Sequence, residues 1–77
     1  MSTDSPDGRR YGFVGIIVAD RHRHGARINQ ILAGHGELIH GRLGMPNLRG
    51  GDLSIITLIV HATPEELSAL TGKLGSL

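Results

Sequence analysis

The chain contains no cysteine and no tryptophan, and its aromatic content is one tyrosine and one phenylalanine, Tyr11 and Phe13. Without cysteine there is neither a disulfide to staple a small fold nor a thiolate metal site. This fits a reducing compartment, and the cytoplasm is the expected location. Two aromatics are too few for a base-stacking platform on single-stranded nucleic acid. Charge of one sign is also scarce: eight Lys and Arg stand against seven Asp and Glu, a formal net charge of +1. No overall field therefore steers the chain to nucleic acid or a membrane surface. Apolar runs fall well short of a membrane span, and the polar start MSTDSPDGRR lacks the apolar core of an export signal.

At 77 residues there is room for one small domain. Such a chain buries a modest share of its surface, so stability from self-association is expected. Residues 1–9, rich in Ser, Asp, Pro and Gly, read as a disordered tail. Residues 10–77 read as a single domain.

YGFVGIIVA (11–19) has the β-branched composition of a strand. Phe13 and Ile17 fall on one side, and Val14, Ile16 and Val18 on the other. Asp20 is placed to cap a helix whose inward face would be His24, Ile28, Ile31, Leu32 and His35, ending at Gly34 or Gly36. ELIHGRLG (37–44) alternates as an edge strand, with Leu38, His40 and Arg42 opposing Ile39, Gly41 and Leu43. MPNLRGGD then supplies turn chemistry through Pro46, Gly50 and Gly51. DLSIITLIVHA (52–62) is apolar on both sides, the pattern of a central strand. TPEE (63–66) combines a Thr cap, Pro at the first helical position and Glu at the third, and Leu67, Leu70 and Leu74 form one apolar stripe.

The expected fold is α+β, a ferredoxin-like βαββα order with an antiparallel sheet, the final strand of the split pattern being missing from this chain. Two helices cover only one face of such a sheet. The strands at 11–19 and 53–61 are apolar on both faces, so the second face is expected to meet another subunit in a homo-oligomer, a dimer or tetramer. The free edge of the first strand is a further route to association.

Four stretches carry a family resemblance: VADR (18–21), GRLGMP (41–46), SIITLIV (54–60) and LSALTGKLGSL (67–77). Together they resemble the iron-only hydrogenase system regulators, small ferredoxin-like, ACT-like proteins, across residues 11–77. That family is similar in fold to the ligand-binding domain of the nickel-responsive repressor. Its members continue past GKLG into a further strand. The resemblance implies a small regulatory or sensing module that oligomerises, and the leading expectation is a small ligand bound at its subunit interface.

Five histidines raise a metal ion as a cofactor, and spacing tests it. His22 and His24 turn to different faces of a helix. His24 and His35 share a face but lie roughly 16 Å apart at 1.5 Å per residue. A simple hairpin register brings His61 near His35, with Glu37 or a second subunit's histidine needed as third ligand. Two imidazoles alone make an incomplete site, so no metal ligands are assigned and no cofactor is expected.

The remaining candidates are for a small molecule or anion. Asp20, Arg21 and Arg23 stand at a helix start, where an anion would relieve the cations at the positive dipole end; Asp20 compensating Arg23 is the plainer alternative. In HGRLGMPN, the absence of side chains at Gly41 and Gly44 leaves room for a backbone or ligand, and Arg42 suits a carboxylate or phosphate. The expected ligand-contacting set is Asp20, Arg21, Arg42, Gly44, Pro46 and Asn47, with strand packing as the first role of the glycines. TGKLGS lies in and after a helix and lacks the phosphate-loop spacing. Gly72 in it reads as a close-packing position. Serines 54, 68 and 76 have no histidine placed as base, which argues against an enzyme. The alternatives are a protein adapter docking by strand addition, or a DNA-binding regulator, for which no reading motif is present.

Overall fold

The computed structural model describes residues 5–77, except the side chain of Arg21. A strand β1 (Arg10–Val18) leads to helix α1 (Arg21–Gly34), then strands β2 (Ile39–Leu48) and β3 (Leu53–Ala62), and helix α2 (Pro64–Gly75). The sheet is antiparallel with β3 between β1 and β2. The α+β, βαββα fold is thus the observed one, and no fourth strand occurs among the described residues.

Each helix begins where local chemistry dictates. Asp20 caps α1, its carboxylate accepting the Arg23 amide at 3.3 Å. Thr63 and Glu66 cap each other's amides at 3.1 and 2.9 Å, and Pro64 opens α2. Ile28, Ile31 and Leu32 of α1 and Leu70 of α2 meet Val14, Val18, Leu58 and Val60 in one core. Leu58 and Leu70 have no exposed surface. His24 and His35, expected on the same inward face, stand at its half-buried margin.

Three details of β2 correct the sequence reading. A one-turn 3-10 helix, Gly36–Leu38, occupies the expected strand start, so β2 begins two residues later and runs to Leu48. Pro46 therefore lies in the strand, which an edge position allows because its outer side needs no amide donor. The third detail concerns facing. Ile39 pairs with Val60 while Gly41 pairs with Ile59, leaving His40 in a bulge between them. The extra residue reverses the alternation. Ile39 consequently packs on the core instead of sharing a face with Gly41 and Leu43. The hairpin turn uses Gly50 and Gly51 at φ of 73° and 105°, as the double glycine predicts.

Residues 5–9 form a turn held to the domain. Arg9 grips Glu66 through Nε and Nη2 at 3.2 and 3.3 Å, and binds Asp7 through Nη1 at 2.7 Å. The Ser5 hydroxyl lies 2.7 Å from His61 Nε2.

Candidate functional site

The two faces of the sheet differ sharply. On the helix side the strands bury Val14, Val18, Leu58 and Val60. On the outer side Phe13, Ile17, Leu43 and Met45 are 80, 73, 66 and 51% exposed. By register, Phe13 faces Ile59 and Ile17 faces Ile55, while Met45 flanks Ile55 from the other side. The result is a largely apolar surface over three strands, with Thr57 at its middle between Gly15 and Leu43. No Asp, Glu, Lys or Arg among the described residues projects from it.

One end of that face is polar. Tyr11 stacks on His61 with ring centroids 4.5 Å apart, and His40 closes on both at 5.7 and 5.3 Å. The β2 bulge is what turns His40 toward this pair. The expected neighbourhood of His61 and His35 is therefore corrected: the turn at 36–38 carries His35 away, to within 3.0 Å of Lys73 Nζ. Among the described residues no group of three or more histidines and carboxylates is placed to hold a metal ion.

On the helix side, an open cleft of about 610 Å³ separates α1 from the far halves of β2 and β3. Val18, Ile28 and Ile56 supply its apolar lining; His22, Asn29, Arg42 and Ser54 supply polar groups. Gly25 and Gly44 also line it, and a methyl group added at either would meet nothing within 4 Å. The Arg42 guanidinium donates through Nη2 to Asn29 Oδ1 at 2.9 Å.

Of the residues expected to contact a ligand, Arg42, Gly44 and Pro46 come together in this cleft. Asp20 instead serves as the α1 cap, and Asn47 stands beyond the cleft lining at a positive φ of 63°. Arg21 opens α1, and its side chain lies outside the described residues. His22, Gly25, Asn29 and Ser54 were not anticipated. The signal was present: His22, Gly25 and Asn29 recur at helical spacing on the face beside Ile28, and Ser54 is a polar residue in an apolar strand. Gly72 borders open space within the chain, so no close packing is seen there.

Electrostatics leave the cleft cationic. Among the described residues no carboxylate lines it. Nearby Asp52 is engaged by Arg49 at 3.1 and 3.3 Å, and this guanidinium holds its carboxyl below the ordinary range. Asp20 is committed to the helix cap.

The family model described as "TM1266-like: Iron-only hydrogenase system regulator, putative" matches residues 10–77. The chain belongs to this family. Among solved structures, the uncharacterized protein TM1266 from Thermotoga maritima is similar at 33% identity and a TM-score of 0.80. The alignment covers 87% of this chain and 82% of that one. No curated protein matches. The family description is that of a regulator, in agreement with the resemblance seen in GRLGMP and LSALTGKLGSL. No described helix is long and apolar enough to cross a membrane.

Proposed function

We propose that this family member is a non-enzymatic regulatory module that works as a homo-oligomer, with the outer face of the sheet as its assembly surface and a small ligand as its signal. The supporting observation is the outer face itself. Apart from the Tyr11, His40 and His61 end it is broad and largely apolar, and among the described residues no Asp, Glu, Lys or Arg projects from it, while both helices are spent on the opposite side. A surface of this kind is rare on soluble monomers. Lacking Asp, Glu, Lys and Arg among the described residues, it suits a second copy of itself, because an isologous pairing sets identical surfaces together and any strong charge there would meet its like.

Regulation then follows by linkage. A ligand that binds one assembly state more tightly than another shifts the balance by its differential affinity alone. The cleft that gathers Arg42, Gly44 and Pro46 lies across the sheet from the assembly surface. Strand β3 contributes to both, with Ile56 and Ser54 toward the cleft and Ile55 and Ile59 toward the outer face. A twist of this central strand is the route by which occupancy reaches the assembly surface.

Sedimentation velocity at micromolar concentration tests the proposal. A sharp boundary at twice or four times the chain mass is expected. A monomer at all concentrations, with its outer face in solvent, would overturn it. A stable complex formed only with an unrelated protein would favour the adapter alternative.

A further inference from the structure

The cleft between α1 and β2 has the composition of a binding site, and we infer that it takes a small monocarboxylate with an apolar body. This deepens the regulatory reading above and rests on it for its purpose, though not for its chemistry. Arg42 is the centre of the argument. Its guanidinium is permanently charged, and it donates to a neutral group, the Asn29 side-chain oxygen at 2.9 Å. That bond uses one donor of Nη2 and fixes the group in the cleft wall, leaving the remaining donors for an anion.

Competing anions of the protein are absent or engaged. Among the described residues no acidic side chain lines the cleft, Asp52 is bound by Arg49, and Asp20 is turned to the Arg23 amide. The space is equally specific. Gly25 and Gly44 both line it, with nothing within 4 Å of where either side chain would begin. At about 610 Å³ the opening is of the size that small-molecule sites occupy.

The balance of charge and greasy surface selects the ligand class. A phosphate dianion is ordinarily met by several cations or by free amides at a helix start. Here the α1 start is already capped by Asp20, and among the described residues Arg42 is the one arginine of the lining. A single carboxylate matches a single guanidinium in charge and planarity. Val18, Ile28 and Ile56 receive the apolar body, and the His22 ring and Ser54 hydroxyl stand ready for a further polar substituent.

The test is an amide-resolved NMR titration of the full chain with isovalerate, 3-phenylpropionate and L-leucine, against isovaleramide and inorganic phosphate. Expected are saturable shifts at Gly25, Asn29 and Gly44 with at least one monocarboxylate, and none with the uncharged amide. Arg42→Gln should weaken binding at least tenfold. Gly44→Val, which fills the space and keeps the charge, should weaken it independently; the spectrum of each variant reports its fold. No saturation by any of the three below about 10 mM overturns the inference, because weaker contact is not a site. Equal response to isovaleramide, or tighter binding of phosphate, overturns the ligand class. Sedimentation of the same samples separates the two readings: an oligomer that ignores every carboxylate sinks this inference alone, and a monomer that binds one sinks the assembly alone.

Discussion

Tyr11 and His61 are direct partners across the β1–β3 pair, and their rings stack with centroids 4.5 Å apart and planes 28° from parallel. The contact anchors the polar end of a largely apolar face, and the Ser5 hydroxyl hydrogen-bonds to the ring edge at His61 Nε2. Removing either ring should cost about 1 kcal/mol beyond lost area. A double-mutant cycle of Tyr11→Ala and His61→Ala in urea checks this, with a coupling energy near zero counting against the stack.

Placing a charge on the outer face should separate the subunits without unfolding them. Phe13 is 80% exposed and no part of the core, so Phe13→Lys leaves the chain's own packing intact. Its expected signature is a monomeric sedimentation coefficient with an unchanged circular dichroism spectrum.

Truncating the core has the opposite signature. Leu58 is wholly buried on the central strand and Leu70 on α2. Leu58→Ala should lose about 2–5 kcal/mol, a large share of what a domain this small possesses. Urea unfolding at fixed protein concentration measures it.

Acid should loosen the attachment of α2. The Glu66 carboxyl is held below its ordinary value of 4.5 by the Thr63 amide first and the Arg9 guanidinium second. A carboxyl whose folded value is depressed stabilises fully above its unfolded value, and the contribution disappears as pH falls through the folded one. Glu66→Gln should therefore be less stable than the parent at neutral pH, and the difference should shrink as the pH approaches 3. Paired urea titrations across that range give the result.

The hairpin turn offers a backbone test. Gly50 has φ 73° and ψ 14°, the left-handed region where a Cβ is strained. Gly50→Ala should cost about 1 kcal/mol, and Gly50→Asn should recover most of it, because asparagine tolerates that conformation. Thermal midpoints of the three proteins decide.

Much of this molecule was legible in its residues. The central place of β3 follows from apolar side chains on both of its faces, and the starts of both helices follow from Asp20 and from the TPEE box. The bare outer face follows from counting helices against strands. Less legible was anything set by one extra residue. The bulge at His40 has no local signature, yet it decides which side Ile39, Arg42 and Gly44 take, and so which histidines meet. The cleft was half visible: GRLGMP pointed to Arg42, Gly44 and Pro46, but their partners on α1 depend on how the helix lies across the sheet. Helical periodicity gives that face only once its packing is known.

Pro46 has a consequence for strand addition. The sheet ends in two rims, β1 on one side and β2 on the other, and the proline ring leaves the β2 rim one amide donor short near its tip. No proline interrupts Arg10–Val18, so β1 offers an unbroken row of donors. An incoming strand would find the more complete ladder there.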